Sequence, residues 1–368
     1  MSFELRNVTE KEDGIRLTPI RFVLVGCMVI SCVVLLATDT VYNAEMGAGV
    51  GVKTWNVLDW LSQQAVLSTD FSCHNNCNNF TFSYIIRNSC RDRPFLLFFV
   101  VVAHNNSDAR DAIRQTWGSI RSYRGKSIKT VFVLGEHENE TLNAEILSEN
   151  AKYKDIVMGR FPDKYRTLTE KVMFALRWSM DHCEAEYMVK TDDDIFHVPY
   201  RYIDYLLDNE LPERFVGGRC VTTRPTRTET VKTYVSRDIY PYNYSPYYCQ
   251  GGGYIISQTA ARDIVKIAPH VRYTPMEDQF VSGICRYTML IPYFQIDGVL
   301  AKKGAQTQPC TLKKLVKSTH KIYPDEMYQL WKDLNSRNQN CALSFNINVF
   351  IVILVFLLLW AKFLHSMY

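Results

Sequence analysis

The amino-acid sequence predicts an α/β protein whose sheet is covered by helices on both faces. Along residues 95–190, short and almost fully apolar runs alternate with longer amphipathic segments that suit helices. Strands that are apolar throughout are typical of sheets that are buried on both sides. One such run stops at three adjacent carboxylates, Asp192, Asp193 and Asp194, at the kind of strand end where sheets of this class bind ligands.

The predicted elements follow one another in a regular order. We expect strands at residues 95–102, 129–134, 155–158 and 187–190. Helices should occupy residues 107–117, with Ser107 as the capping residue, 138–151 and 167–183. The third helix has one apolar face, which contains Val172, Ala175, Leu176 and Met180. The aspartate triplet lies at one strand end, and residues 104–106 lie at another.

The aspartate triplet has two interpretations when it is taken alone. Three neighbouring carboxylates repel one another and lose hydration beside a packed core, and a bound divalent cation would offset that repulsion. Carboxylate oxygens suit Mg²⁺ or Mn²⁺, which in turn neutralise phosphates, so this interpretation predicts an enzyme with a diphosphate-bearing substrate. The alternative is a solvated acidic turn without a ligand.

After the triplet the sequence changes character. Residues 215–220, 232–235 and 240–248 are rich in aromatic residues, glycine and proline, and three glycines at 251–253 lead into the largely apolar residues 254–257. This composition predicts irregular sheet and loops. It suits an acceptor-binding half in which aromatic faces stack on sugar rings, and it suits an ordinary tyrosine-rich core equally well.

The N-terminal region predicts a membrane anchor. Residues 22–38 are apolar and near the lower length limit of a spanning helix, and basic residues precede them at positions 6, 11, 16 and 21. We therefore expect a cytosolic tail at 1–21, an uncleaved anchor at 22–38, a stem at 39–93 and a lumenal domain at 94–341, with a cleaved signal peptide as the alternative. The apolar residues 342–368 predict membrane insertion, with a surface helix or a removed anchor signal as alternatives.

Glycosylation sites and cysteines agree with a lumenal location. Four sequons, which start at Asn79, Asn105, Asn139 and Asn243, and nine of the eleven cysteines follow the predicted anchor. Nine is an odd number, so we expect one cysteine that is free, buried or bonded to another chain, and a disulfide rather than a zinc site at positions 73 and 77. The formal charge of +4 comes from scattered basic residues, which argues against a nucleic-acid partner.

Six sequence blocks in one order carry a resemblance to a known family. They are residues 110–118 (RDAIRQTWG), 163–171 (DKYRTLTEK), 190–194 (KTDDD), 247–257 (YYCQGGGYIIS), 277–285 (EDQFVSGIC) and 320–331 (HKIYPDEMYQLW). From about residue 95 to residue 341, the chain resembles the β1,3-galactosyltransferase family, which includes β1,3-N-acetylglucosaminyltransferases and Fringe proteins. The resemblance implies a GT-A type nucleotide-sugar transferase fold, a UDP-sugar donor, Mn²⁺, and a single-pass type II protein of the Golgi membrane.

Two departures from the family pattern are visible. The spacing from the acidic pair at 277–278 to Gly283 is one residue longer than usual, with the extra residue near Ser282. This insertion could rotate the pair and exchange the roles of its two members. The apolar tail beyond Cys341 also lies outside the common pattern.

The resemblance assigns the metal side of the site. Asp194 corresponds to the direct metal ligand, and His320 corresponds to a histidine that joins the metal site. Without the resemblance, a single histidine before a helix would be taken as a surface residue. Asp192 would contact the ribose or the water shell of the metal, and Asp193 would orient the site.

Basic residues are further candidates for the donor site. Arg110 and Arg114 lie on successive turns and on one face of the first helix, where they contact the nucleotide or the triplet, or else form a structural ion pair beneath it. Lys171 and Lys190 flank the triplet and would balance its charge before a metal binds. The sequence leaves both interpretations of the arginines open.

The acidic pair completes the predicted chemistry. By resemblance, Asp278 is the general base for the acceptor hydroxyl and Glu277 positions the acceptor or caps the helix, although a helix N-terminus alone also favours carboxylates. We therefore expect an inverting β1,3-hexosyltransferase that moves a sugar, galactose before others, from a UDP-sugar to a glycan. The alternative is a catalytically silent lectin-like or chaperone-like relative. The donor sugar, the acceptor (glycoprotein, glycolipid or proteoglycan linker) and a possible homo-oligomer are left open.

Overall fold

The computed structural model describes residues 71–73, 77–300, 307–314 and 317–336. These residues form a mixed α/β fold, which confirms the predicted fold class. The predicted tail, anchor and most of the stem, and the apolar segment 342–368, lie outside the described residues. Within the described part, no helix combines the length and apolar character that crossing a bilayer requires.

A mixed sheet forms the centre of the fold. Its strands are β1 (Tyr84–Ile86), β2 (Leu96–Val101), β3 (Ser122–Tyr123), β4 (Lys126–Glu136), β5 (Ile156–Pro162), β6 (Tyr187–Asp192), β8 (Val216–Val221), β9 (Tyr248–Ser257) and β10 (Tyr293–Gln295). Their order is β1-β5-β4-β2-β6-β9-β8-β10, with β3 paired to β4. Strands β7 (Ile195–His197) and β11 (Ser318–His320) form a separate antiparallel pair.

Strand direction determines where polar residues collect. Strands β5, β4, β2 and β6 are parallel, so their carboxyl ends lie at one edge of the sheet. Strand β9 runs antiparallel beside β6, and this direction brings its glycine-rich first half to the same edge. The fold therefore places the end of β6 next to the start of β9.

The core lies on both faces of the sheet, as the sequence predicts. All six residues of β2 are buried. Because side chains alternate along a strand, Leu97, Phe99 and Val101 join one hydrophobic cluster, and Leu96, Phe98 and Val100 join the other. This two-sided burial fixes β2 in the middle of the sheet.

Helices cover both faces, and the first three lie within a few residues of their predicted positions. The later helices were not predicted, because the sequence after the triplet indicated irregular sheet and loops. In chain order, the helices are α1 (Ser107–Gln115), α2 (Glu140–Tyr153), α3 (Leu168–His182), α4 (Pro199–Asp208), α5 (Gln258–Ile267), α6 (Arg286–Thr288), α7 (Pro309–Lys314) and α8 (Pro324–Asn335). The prediction that Ser107 caps α1 is wrong, because Ser107 is the first helical residue and Asn106 occupies the cap position. The side chain of Asn106 makes no cap hydrogen bond, and its Nδ2 donates to Asp193.

The segment around Ser282, where the family resemblance implies an extra residue, forms a π-helix, Gln279–Cys285, which runs directly into α6. A π-turn contains one residue more than an α-turn, so it absorbs an insertion without breaking the helix. Ser282 is fully buried, and its hydroxyl accepts from the Cys249 N–H at 2.9 Å and donates to the Asp278 carbonyl at 2.7 Å. The bond from Cys249 ties the helix to β9, and the bond to Asp278 lies within the helical run.

The cysteines agree with an oxidising compartment. Disulfides join Cys73 to Cys77, Cys90 to Cys183 and Cys220 to Cys249, and Cys310 is disulfide-bonded as well. The predicted disulfide at positions 73 and 77 is therefore present. Among the described cysteines, Cys285 alone is a free and buried thiol.

Candidate active site

The aspartate triplet lies at the carboxyl end of β6. The strand is two residues longer than predicted and includes Asp192, while Asp193 and Asp194 form the turn into β7. Asn106, from the loop after the neighbouring strand β2, donates from Nδ2 to Asp193 Oδ2 at 2.6 Å. Burial and the carboxylates on either side raise the pKa of Asp193, although the Asn106 bond opposes this shift.

His320 is brought to the triplet by strand pairing. In the β7–β11 pair, His320 lies opposite Ile195, and the Ile322 N–H donates to the Asp194 carbonyl at 2.9 Å. The Nε2 atom of His320 consequently lies 3.5 Å from Asp194 Oδ2, and both side chains are partly exposed. The Asp194 carboxylate raises the pKa of His320.

Glu277 and Asp278 have different environments although they are adjacent. Glu277 is only 3% exposed, and its Oε2 accepts from the Tyr254 hydroxyl at 2.9 Å. Burial raises the pKa of Glu277 to about 7. Asp278 is half-buried, and its two oxygens accept from the Gly251 N–H at 3.0 Å and the Gln279 N–H at 2.9 Å. Burial raises the pKa of Asp278 too.

Lys190 is a buried cation between these two groups of carboxylates. Its Nζ lies 2.7 Å from Asp192 Oδ1 and 2.8 Å from Glu277 Oε1, and it donates to the Gly251 carbonyl at 2.6 Å. The contact with Glu277 is an ion pair that lacks good hydrogen-bond alignment. Although burial opposes the charged form, Asp192 and Glu277 raise the pKa of Lys190, so it stays an ammonium at neutral pH.

A cleft of about 320 Å³ joins the two halves of the site. Asp192 and His320 line one part of it, and Asp278 lines another. Tyr165 and Lys232 also face the cleft, with the Lys232 ammonium 5.0 Å from the centre of the Tyr165 ring. Ligand pockets commonly measure about 300–1,000 Å³, so the cleft can hold a small molecule between the triplet and the acidic pair.

A second pocket of about 170 Å³ lies at the ends of β2, β4 and β5. Asp163 lines it and is bound by Lys171, with 2.5 Å between Nζ and Oδ1. His104 is 5% exposed and neither ring nitrogen has a hydrogen bond, its Nδ1 lying 3.5 Å from Asp163 Oδ2. Lys171 thus contacts Asp163 rather than an aspartate of the triplet, and burial lowers the pKa of Lys171.

Arg110 and Arg114 form ion pairs away from the triplet. Arg110 makes two hydrogen bonds to Glu149, at 2.8 and 2.6 Å, and also donates to the carbonyls of residues 103 and 104. Arg114 makes two to Asp155, at 2.8 and 2.9 Å, and also contacts Glu149. These contacts favour the structural interpretation of both arginines, and their part in donor binding stays a prediction.

Comparison with known proteins identifies the family. The Galactosyltransferase family profile matches residues 108–297, which contain both the triplet and the acidic pair. The chain is 34% identical over 266 residues to β1,3-galactosyltransferase 1 of Mus musculus and Homo sapiens, covering 71% of this chain and 81% of each relative. It is 32% identical over 278 residues to β1,3-galactosyltransferase 4 of Mus musculus, covering 67% of this chain and 74% of the relative.

The chain belongs to the β1,3-galactosyltransferase family. Membership in this family supports a glycosyl-transfer activity and hence an enzyme. Solved structures that match include the WbbM bifunctional glycosyltransferase, with 9% identity, a TM-score of 0.35 and 67% of this chain covered. The chain spans half the length of that protein (50%). Galactosyltransferase LgtC, solved with donor and acceptor sugar analogs, matches at 11% identity and a TM-score of 0.33 over 66% of this chain and 97% of LgtC.

The residues at the triplet fit a divalent cation of the kind that the family resemblance implies. Asp194 and His320 offer a carboxylate oxygen and a ring nitrogen 3.5 Å apart. Mg²⁺ is usually held by one or two protein ligands together with substrate phosphates, and Mn²⁺ accepts the same oxygen donors. In the part of the chain that the structure describes, no group of three or more His, Cys, Asp and Glu side chains has the arrangement of a metal site. Two protein ligands would leave the other coordination positions of such a cation to water or substrate oxygens.

Two tyrosines of the family blocks belong to the site although the sequence assigned them no role. Tyr254 lies opposite Lys190 in the β6–β9 ladder, which explains why both side chains reach Glu277. Tyr165 faces the acidic groups from the segment before α3, and burial followed by Asp278 raises its pKa. The pairing of β6 with β9 reveals the position of Tyr254, and the tertiary fold reveals that of Tyr165. Periodicity along a single segment reveals neither.

Proposed function

We propose that this protein is an inverting β1,3-hexosyltransferase of GT-A type, which transfers a sugar from a UDP-sugar to a hydroxyl of a glycan. Galactose is the first candidate, because the relatives reported above are galactosyltransferases. The observation that carries the proposal is that Asp192 and His320 share one cleft with Asp278. Transfer needs this combination, in which a site for the diphosphate leaving group adjoins a base for the acceptor.

The acceptor side of the cleft supplies the base. The carboxylate of Asp278 takes the proton of the acceptor hydroxyl as that oxygen attacks the anomeric carbon. The new C–O bond forms on the face opposite the diphosphate, and the old C–O bond breaks with its electron pair leaving on UDP, so the anomeric configuration inverts. The N–H groups of Gly251 and Gln279 hold the carboxylate at the wall of the cleft.

The donor side of the cleft balances charge. Asp194 and His320 would hold a divalent cation, Mn²⁺ in our proposal, which when bound supplies positive charge for the departing diphosphate. Asp192 would contact the ribose or the water shell of that cation. Asp193, fixed by Asn106, would keep the turn in position.

The second pocket is our candidate for the nucleoside half of the donor. Its position at the ends of parallel strands is the usual one for nucleotides in α/β sheets. The buried ring nitrogens of His104 have no hydrogen bonds, and a ligand with polar edges would provide them. Arg110 donates to the carbonyls of Ala103 and His104, so it would act in donor binding by holding this loop.

We also propose a type II arrangement in the Golgi membrane. Residues 1–21 would lie in the cytosol, 22–38 would span the membrane, 39–93 would form the stem, and 342–368 would form a further membrane segment. Disulfides such as Cys90–Cys183 and Cys220–Cys249 support an oxidising lumen. The acceptor would be a glycoprotein, a glycolipid or a proteoglycan linker.

The test is UDP release by the purified protein with Mn²⁺, a panel of glycan acceptors, and UDP-galactose, UDP-N-acetylgalactosamine or UDP-N-acetylglucosamine. We expect release with one donor and a β1,3-linked product, which nuclear magnetic resonance identifies. Glycan binding without UDP release from any donor would favour the lectin-like alternative. Intact aspartates in the triplet and the acidic pair argue against that outcome.

A further inference from the structure

Gly251 connects the two halves of the cleft through both of its backbone groups. Its N–H donates to Asp278 Oδ2 at 3.0 Å, and its carbonyl accepts from Lys190 Nζ at 2.6 Å. The same ammonium contacts Asp192 Oδ1 at 2.7 Å. A continuous chain of contacts therefore runs from the donor-side aspartate to the acceptor-side base.

We propose that Lys190, seated on Glu277, is a positioning residue that holds Asp278 at a fixed separation from Asp192 through the backbone of Gly251. This inference rests on the proposed transferase function. It assigns Glu277 to the support of Lys190 and not to acceptor chemistry. Gly251 then connects the donor side of the cleft to the acceptor side.

The donors of Lys190 match the proposed task. An ammonium has three N–H donors, and Lys190 has three partners: Asp192, Glu277 and the Gly251 carbonyl. The side chain is fully buried, so these partners are not in competition with bulk water. A buried cation held by two hydrogen bonds and one ion pair has little freedom to move, which makes it a rigid support.

Glu277 is built to hold the cation. It is 3% exposed, with Lys190 at one oxygen and the Tyr254 hydroxyl at the other. A base for the acceptor must reach a hydroxyl in the cleft. Asp278 meets this condition, because it is the member of the pair with appreciable exposure there. The buried Glu277 therefore supports Lys190, and the more exposed Asp278 is available to the acceptor.

Position 251 has no space for a side chain. A Cβ atom at Gly251 would lie 2.5 Å from Glu277 Oε1 and 3.4 Å from Asp278 Oδ2. Any larger residue would push the glutamate away from Lys190 and the aspartate away from the backbone N–H. Close approach of the two carboxylates to one peptide unit is the reason for glycine here.

The experiment compares Lys190→Met with Lys190→Arg, Glu277→Gln and Lys129→Met in the full-length protein, after wild type has identified the donor and acceptor. Lys129→Met is the matched control, because Lys129 is a half-buried lysine on β4 in the half of the strand away from the cleft. Measurements are kcat, the KM of each substrate, the pH dependence of kcat/KM, and the melting temperature.

We expect Lys190→Met to lower kcat by about a hundredfold, because a misplaced base loses alignment while both substrates still bind. The acidic limb of the pH profile of kcat/KM should move to higher pH. The charge of Lys190 lowers the pKa of Asp278, so removing that charge raises this pKa. Groups that face Asp278 or line the same cleft are Lys190, Asp192, Glu277, Tyr165, Tyr248, Lys232 and His320. Lys190→Arg should restore the limb, and Glu277→Gln should lose less than about tenfold in kcat because the amide keeps Lys190 in place.

If Lys190→Met does not fold, Lys190→Met/Glu277→Gln removes both buried charges together and takes its place. Because Glu277 acts through Lys190, the kcat of this double variant should fall by no more than the roughly hundredfold loss expected for Lys190→Met. The inference is overturned if Lys190→Met or the double variant has the kcat of wild type. It is also overturned if Lys190→Met loses stability while the acidic limb of its pH profile stays in place, or if Glu277→Gln is as inactive as Asp278→Asn. Wild-type protein that transfers no sugar would overturn the proposed function instead.

Discussion

The three aspartates of the triplet have three different partners. Asp192 contacts Lys190, Asp193 accepts from the Asn106 amide, and Asp194 faces His320. Like-charge repulsion within the triplet is therefore offset by groups from three separate parts of the chain. The carboxylate cluster at a strand end and its neighbour Lys190 on the same strand are predictable from the sequence, whereas Asn106 and His320 come from elements that only the fold brings near.

At this scale we expect Asp194→Asn to abolish transfer while the protein still folds. The amide keeps the size of the side chain and removes the charge that would hold a cation, and loss of that charge should cost several kcal/mol in the barrier. Turnover of the purified variant, with its melting temperature as the folding control, tests this. Activity above about a tenth of wild type, a loss below about 1.4 kcal/mol, would show that Asp194 is not a metal ligand.

His197 predicts a pH dependence of stability. It is fully buried between Thr191 and Tyr202, with its ring nitrogens 2.7 and 3.0 Å from their hydroxyl oxygens. Burial lowers its pKa to about 3, whereas the unfolded value is about 6.5. The unfolded state therefore binds the proton first, and stability should fall by up to about 1.4 kcal/mol per pH unit below 6.5.

Urea unfolding between pH 7 and 5 at constant ionic strength measures this effect. A His197→Gln variant is the control, because it should be less stable at pH 7 yet lose less stability on acidification. Equal slopes for the two proteins would assign the acid sensitivity to other groups.

At the level of elements, β9 and the π-helix Gln279–Cys285 act as one unit. Ser282 joins them, and Gly251 contacts the residue just before the π-helix. The sequence indicates an extra residue here and raises the possibility that the acidic pair exchanges roles. The π-turn takes up that residue, a local solution that periodicity does not reveal, because a π-turn and a shifted α-helix have the same composition.

We expect Ser282→Ala to destabilise the protein by about 1–3 kcal/mol, because the buried Cys249 N–H loses its acceptor. Activity per folded molecule should also fall, since the carbonyl of Asp278 loses its donor. Thr288→Ala is the matched control, because its hydroxyl bonds to the Ile284 carbonyl within the same helical run and does not reach β9. Urea unfolding and kcat measure both effects, and equal kcat for Ser282→Ala and wild type would remove Ser282 from the support of the base.

For the molecule as a whole, the parallel strands determine the position of the site. Apolar runs were sufficient to predict β2, β4, β5 and β6, and hence an edge of the sheet rich in polar loops. The antiparallel return of β9 beside β6 and the arrival of His320 through β11 were not predictable, because both depend on contacts between distant segments. The metal side and the base were thus predicted by the family resemblance, and their connection through Lys190 came from the fold.

This placement predicts that Asn105 carries little glycan although its sequon is intact. Asn105 lines the second pocket, where we place the nucleoside, and a glycan there would obstruct the donor. Asn79 and Asn243 are exposed elsewhere and serve as internal comparisons. Mass spectrometry of active, purified protein measures occupancy, and full occupancy at Asn105 would place the nucleoside elsewhere.

The role of Asp278 as the base is best tested by the kinetics of Asp278→Asn beside Glu277→Gln. The asparagine keeps the size of the side chain and most of its hydrogen bonds, but it cannot accept the proton of the acceptor. We expect kcat to fall by about 10²–10⁴, with the Kd of the UDP-sugar nearly unchanged because the donor is held across the cleft. Full activity in Asp278→Asn would contradict the proposal. If Glu277→Gln were inactive at the same time, Glu277 would be the base instead.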